Sequence, residues 1–396
     1  MSVVKTAEAV CVGHPDKLCD LIADQILDDI LYEDRNARVA VEVMAVGRRI
    51  IVTGEINTRA RVRVRESVRT ALSNAGYKPW RFLVYVWVRH QSRDISDGVS
   101  TSLEARLGDD SAYSLQGAGD QGTVYGYACT ETPERLPLPL VLAHKICRRL
   151  DEAREQGTIK GIFSDGKAQV SVRYDDTGRP QAVECVVVSV QHSELKDSDE
   201  LRREITSLIV GPVCAAHLPV SDETVILVNP SGRFIEGGPK ADTGLTGRKL
   251  MVDTYGGLAP HGGGAFSGKD PSKVDRSGAY MARLIAKSVV DARLADECQV
   301  SISYAIGKAD PVAFSVDTLG SGQYSDEILT AAAREVFNLR PAAIIDQLGL
   351  RASGFVRYST YGHFGDRTRR WEDTFDTRHK LEKAVKTHAA QKPAIK

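Results

Sequence analysis

Apolar residues recur at helical spacing in DKLCDLIADQILDDILYE (16–33), after which the pattern changes to the alternation of strands in ARVAVEVMAV and RRIIVTGEI. A helix over VRVRESVRTALSNAG and a strand over RFLVYVWV follow. The same order of helix, strand, strand, helix, strand returns in LPLVLAHKICRRLDEAREQG, AQVSVRYDD, QAVECVVVSV, SDELRREITSLIV and ETVILVNP. A third pass runs through PSKVDRSGAYMARLIAKSVVDA, QVSISYAIG, VAFSVDTLG and SDEILTAAAREVFN, matching up to its second helix. The leading helices begin roughly 120 to 130 residues apart, too far for a solenoid and suited to three copies of one small domain. The pattern therefore predicts an α+β protein of three similar small α/β domains related by an internal pseudo-threefold repeat. Each leading helix follows a glycine-bearing polar segment: GHPDK, GAGDQG and HGGGAFSGKD.

Boundaries fall where periodicity fails. The domains are expected over residues 1–98, 117–230 and 231–380. Between them, ISDGVSTSLEARLGDDSAYSLQG (95–117) is rich in Gly, Ser and Asp, and reads as a lid or a disordered segment, centred on 99–116. The basic stretch HKLEKAVKTHAAQKPAIK reads as a solvated helix ending in a frayed tail over 381–396. No apolar run approaches the roughly 18 to 20 residues that span a bilayer, and the N-terminus shows no export signal. Lys+Arg and Asp+Glu are equal at 52 each, which argues against a general nucleic-acid surface. Seven cysteines without a C-x-x-C pair read as reduced thiols in a cytoplasm, with neither a disulfide frame nor a zinc site.

Charge is thus used locally. GGAFSGK fits the first seven positions of a phosphate-binding P-loop, but Asp270 stands where the motif needs a Mg²⁺-binding hydroxyl. Asp270 followed by Pro271 reads instead as a helix cap and first turn. Lys269 and Lys273 beside this turn can still hold a polyphosphate through side-chain charge. Asp275 alone would be an ordinary first-turn carboxylate. Similar pairings of acid and base recur at His14, Asp16 and Lys17, at Asp120, at Asp165 and Lys167, and at Asp242 with Arg248 and Lys249. Carboxylates for Mg²⁺ together with cations for phosphate oxygens point to nucleotide chemistry.

GHPDK, GAGDQG, GGPKADTGLTGRK, VDTYGG and HGGGAFSGKDPSKVDRS also resemble the motifs of the S-adenosylmethionine synthetase (methionine adenosyltransferase) family. The resemblance runs from near Glu8 to YGHFG around His363. It implies that ATP and L-methionine form S-adenosylmethionine, with the triphosphate then cut to diphosphate and phosphate. It implies two Mg²⁺ and one K⁺ per site, and a homodimer with shared sites, often paired into a tetramer. Carried over by position, His14 would lie near the breaking bond, and Asp16 and Asp275 would hold Mg²⁺. Lys167, Arg248, Lys249, Lys269 and Lys273 would bind phosphate oxygens, with Lys17 and Asp165 in the same nucleotide site. Asp120 and Asp242 would act around methionine and nucleotide, Lys273 would also reach methionine, and Glu55 and Gln91 would bind it. Phe234 and Ile306 would flank adenine, and Glu42 would ligate K⁺. The 99–116 loop falls where the family has a mobile active-site loop.

The reaction suits such residues. A thioether sulfur has no proton to lose, so no general base is needed; the work is alignment and stabilisation of a polyanionic leaving group. Val12, Ala241 and Pro260 depart from the family's usual Glu, Gly and Arg, and motivate a rival reading as a weakly catalytic regulatory paralogue. A P-loop kinase, resting on GGAFSGK alone, is the other rival.

Overall fold

The structure, a computed structural model, describes residues 3–91, 101–221 and 223–391. The first repeat is observed as α1 (Pro15–Glu33), β2 (Arg38–Val46), β3 (Arg49–Asn57), α2 (Val64–Asn74) and β4 (Leu83–Arg89). The second is α3 (Leu138–Glu155), β6 (Ile162–Tyr174), β7 (Pro180–His192), α4 (Ser198–Glu204) and β8 (Val225–Val228). The third is α5 (Val274–Asp291), β10 (Glu297–Tyr304), β11 (Ala313–Asp317) and α6 (Asp326–Val336), continued by α7 (Pro341–Leu348) and α8 (Phe375–Gln391).

Three further strands, β1 (Val3–Val10), β5 (Gly122–Cys129) and β9 (Gly244–Leu245), each precede one leading helix, and none of them is legible as part of a repeat. Each is lent to another unit. The sheets run β4-β3-β2-β9, β1-β6-β7-β8 and β11-β10-β5, so every repeat's entry strand completes the sheet of the next repeat in cyclic order. This exchange binds the units together. The segment GAGDQG therefore leads into β5, not directly into its helix. Helices cover one face of each sheet: α1 packs on β2, α3 on β1 and β6, and α5 on β5 and β10. The first and third units share one core, and the second has its own.

Asp16, Asp20, Asp24 and Asp28 recur every fourth residue on α1, which places them on one helical face. All four are buried. A buried carboxylate is costly unless partnered, and each takes backbone amides from the C-terminal unit. Asp16 accepts from Leu245 (3.0 Å), Asp20 from Gly247 (2.8 Å), and Asp24 from Gly268 (2.9 Å). Asp28 accepts from Gly354, Phe355 and Val356 at 2.8, 2.9 and 2.8 Å. The stripe thus docks segments 245–247, 268 and 354–356 onto one helix.

Burial outweighs the three amide donors at Asp28 and pushes its carboxyl up to about 6. An acid whose folded pKa exceeds its unfolded value of about 4 keeps its proton longer when folded, so its contribution to stability falls as pH rises between those values. The unfolding free energy of wild type relative to Asp28→Asn is expected to drop from pH 4 to 6, by roughly 1.4 kcal/mol per unit separating the two pKa values. Urea denaturation at constant ionic strength measures it, and a difference independent of pH would contradict it.

Two expectations need refinement. Of the 95–117 loop, residues 95–100 lie outside those described; 101–117 is mostly turn and coil but holds one short helix and is tied down. Ser102 caps a short helix, Leu103–Arg106, by accepting from the Ala105 amide (3.0 Å). The carboxylate of Glu104 accepts from the amides of Ala309 (2.8 Å) and Asp310 (3.2 Å), tying the segment to the third unit. At the C-terminus, α8 is not wholly solvated: Leu381, Ala384 and Val385 are buried, and the helix packs on α6. The last residues of the expected tail, 392–396, lie outside those described. Among the described residues no helix is long and apolar enough to cross a membrane. All seven cysteines are free thiols.

Candidate active site

The edge of β2 opposite β3 organises the polar motifs. Segment 239–246 runs beside its C-terminal half: the Gly47 amide donates to Pro239, Thr246 exchanges backbone and hydroxyl bonds with Val43, and β9 pairs with Met44–Ala45. Segment 268–270 borders the other half. Val41 donates to the Gly268 carbonyl (3.0 Å), Lys269 bridges Ala40, and Asp270 and Val39 bond in both directions (2.9 and 2.8 Å). One strand thereby lays GGPKADTGLTGRK and SGKD end to end, beside the start of α1.

Close approach explains a glycine here. A Cβ at Gly244 would lie 2.1 Å from the Pro15 carbonyl oxygen, so only glycine lets this strap pass the N-terminus of α1.

His14 caps α1, its Nδ1 accepting from the Asp16 amide (3.2 Å). Burial first, and then Lys249, lower its pKa to about 4 against the opposing pull of Asp16, leaving a neutral ring at pH 7. With Nδ1 an acceptor, the proton sits on Nε2. The Asp16 carboxylate receives Lys249 at 2.6 Å. Burial would raise its pKa, but the Lys249 bond and the Leu245 amide outweigh that and hold it below the usual range. A second pair of the same kind, Lys269 and Asp275 at 2.7 Å, lies farther along β2.

Two lysine-covered carboxylates are suitable hosts for a hard cation. Mg²⁺ commonly takes one or two protein carboxylates and fills its shell with water and substrate phosphates. Asp16 and Asp275, one carboxylate each, could serve in that mode; among the described residues no group of three or more His, Cys, Asp or Glu is placed to hold a metal ion.

The remaining expected residues fall into several places. Arg248 and Asp242 are exposed next to β9, Asp242 accepting from the Thr243 amide (2.8 Å). Asp165 and Lys167 lie on β6, longer at its N-terminus than the alternation indicated. Asp165 is buried and holds Gly238 (2.7 Å); burial raises its carboxyl to about 6. Lys167 pairs with Glu8. Phe234 is half-buried beside His192, whose amide donates to its carbonyl (2.8 Å). Lys273 pairs with Asp270, and the exposed Asp120 and Ile306 lie nearby: Gly119 packs against Ser272, and Ala118 bridges Ile306.

Glu42 and Glu55 occupy the outer face of the first sheet, because Ala40 is in register with both Glu55 and Lys269 and Glu42 is two residues on. Glu55 pairs with Arg89 (3.1 Å). Gln91, just past β4, donates its amide to Asn57 (2.9 Å). This face also exposes Leu83, Tyr85, Trp87 and Leu245.

Lys17 and Asp270 do not serve as the sequence suggested. The Lys17 ammonium is 0% exposed between Asp20 (2.9 Å) and Asp253, so it cannot meet a ligand and instead ties α1 to the 250–253 turn. Asp270 does not cap a helix: α5 begins at Val274 after Lys273, and the Asp270 carboxylate holds Val39 and Ser272. Nor does a strand precede GGAFSGK, as a P-loop requires. Missed altogether were Asp20, the pair of Asp24 with Arg276, and also Asp151, which accepts from the Val12 amide (2.9 Å) just before His14. The D-x-x-x-D spacing was a readable signal; the Asp151 contact, made across 139 residues, was not.

Comparison with known families matches three models in order. The S-adenosylmethionine synthetase N-terminal domain matches residues 2–91, the central domain residues 115–234, and the C-terminal domain residues 236–373.

Proposed function

The chain belongs to the S-adenosylmethionine synthetase family, and from that membership we propose that it transfers the adenosyl group of ATP to the sulfur of L-methionine. The sulfur lone pair attacks C5′ as the C5′–O bond breaks, its electrons leaving with triphosphate, which water then hydrolyses in the same site to diphosphate and phosphate. The observation that carries this reading is the two lysine–aspartate pairs along β2. Lys249 and Lys269 exchange their carboxylates for phosphate oxygens when the triphosphate binds. Asp16 and Asp275 would hold Mg²⁺, which would supply charge neutralisation of the leaving group. Arg248, Lys167 and Lys273 add cations from the rim. His14, neutral and protonated on Nε2, donates towards the bridging oxygen without adding a charge that must be desolvated.

Phe234 and Ile306 are assigned to adenine, and Glu55, Gln91, Asp120 and Asp242 to methionine. Glu42 is assigned to K⁺. Since Glu42 and Glu55 stand on an outer face with exposed Trp87 and Leu83, apart from His14, we assign the complete site to two chains of a cytoplasmic homodimer. The regulatory reading gains no support from Val12, whose side chain packs against the core, or from the exposed Ala241 and Pro260.

The test separates the two steps. His14→Asn is expected to slow formation of the sulfonium in single turnover by at least about tenfold more than it slows hydrolysis of added triphosphate. Equal loss of both steps, or no sulfonium from the wild type, would refute the assignment.

A further inference from the structure

A second cationic site lies on the helical side of the chain, between α3 and the loop 361–369. Its cleft, of about 290 Å³, has an apolar floor that includes Phe364. Four cationic side chains, Lys145, Arg148, Arg367 and Arg369, face two acids, Glu134 and Asp366. In a chain of zero net charge this excess is local, not a reflection of composition.

The partners show which charges remain available. Lys145 is satisfied by Glu134 at 2.8 Å and His217 at 3.0 Å. Arg369 is only 5% exposed, and its Nε, 3.8 Å from Asp366, has no hydrogen-bond partner. Its other guanidinium arm donates to the Gly362 carbonyl (3.0 Å). Burial lowers the Arg369 pKa despite the nearby Glu372 and Asp366, the sign of a cation short of counter-charge. Arg148 is exposed and lies over the Tyr361 ring at 5.1 Å, with no carboxylate at ion-pair distance among the described residues. Arg367, also exposed, makes one long bond to the Pro133 carbonyl (3.3 Å) and likewise meets no acid there.

Arg148 comes from the second unit and Arg367 and Arg369 from the third, so the cleft is lined by guanidinium-bearing side chains from both. Planar guanidinium groups bind phosphate oxygens in paired hydrogen bonds. We propose that this cleft binds a small, multiply charged oxyanion of the phosphate or diphosphate class, held by Arg148, Arg367 and Arg369. None of its lining residues belongs to the candidate active site. The anion bridges the second and third units from outside. Choosing diphosphate as the ligand rests on the synthetase reading, in which it is a product; the cation cluster itself does not.

Calorimetric titration of the full-length protein with inorganic diphosphate at constant ionic strength, with Mg²⁺ present, tests this. Wild type is expected to show two classes of site. Arg148→Ala/Arg367→Ala, whose side chains are exposed, is expected to keep its melting temperature and methionine-dependent activity while one class weakens at least about tenfold. Lys269→Ala is expected to lose the other class. A single class in the wild type, unchanged in the double variant, would overturn the proposal. If instead the synthetase reading fails, methionine-dependent activity is absent while the class sensitive to Arg148 and Arg367 persists, so the two failures are distinct.

Discussion

Asp24→Ala is expected to lower the unfolding free energy by about 3–5 kcal/mol, because it strands a buried guanidinium. Arg276 is 0% exposed and receives both Asp24 oxygens, at 2.8 and 2.7 Å. Its other close contacts are the Lys269 carbonyl at 3.0 Å and the Phe355 ring, 4.5 Å away, and Asp28 and Asp253 act on it only from beyond ion-pair distance. Asp24 also accepts from Gly268, so its loss frees the strap that carries Lys269. Replacing both partners, as Asp24→Leu/Arg276→Met, removes the stranded charge and is expected to be less damaging than Asp24→Ala alone. Urea denaturation of the three variants measures both effects. A loss below about 1 kcal/mol for Asp24→Ala, or a double variant worse than the single, would contradict the account.

Lys269→Ala is expected to reduce single-turnover formation of S-adenosylmethionine by about 10²–10³-fold, the scale of removing one positioned donor to a developing anion. Its backbone is fixed twice, by the bridge to Ala40 and by the Arg276 bond to its carbonyl, so its ammonium starts from a set position on Asp275. The substitution also leaves Asp275 without its counter-charge. The effect is therefore expected in the chemical step more than in the KM for methionine. A loss of less than tenfold would remove Lys269 from the proposed machinery.

These two residues also show what the sequence made legible. The helical and alternating patterns placed the main helices and strands of all three repeats, because each buries an apolar stripe against its own sheet. They did not reveal β1, β5 and β9. Those strands are specified by their partners in another unit: β9 is two residues long, and β1 buries only its C-terminal half. The cations along β2 were legible because GGPKADTGLTGRK and SGKD combine glycine, lysine and aspartate. Lys17 and Asp270 looked identical in kind to their neighbours. Only the fold shows that one is sealed between Asp20 and Asp253 and the other clamps Val39. The stripe Asp16–Asp20–Asp24–Asp28 was readable as spacing, yet its burial contradicts what four acids on a helix normally imply, a solvated face.

The most direct test of the central claim is product analysis of the purified full-length protein. It would be mixed with ATP, Mg²⁺ and K⁺, with and without L-methionine, and S-adenosylmethionine, phosphate and diphosphate would be separated by chromatography. The account expects all three products, each dependent on methionine. Nucleotide binding without any sulfonium product, or phosphate release indifferent to methionine, would contradict it.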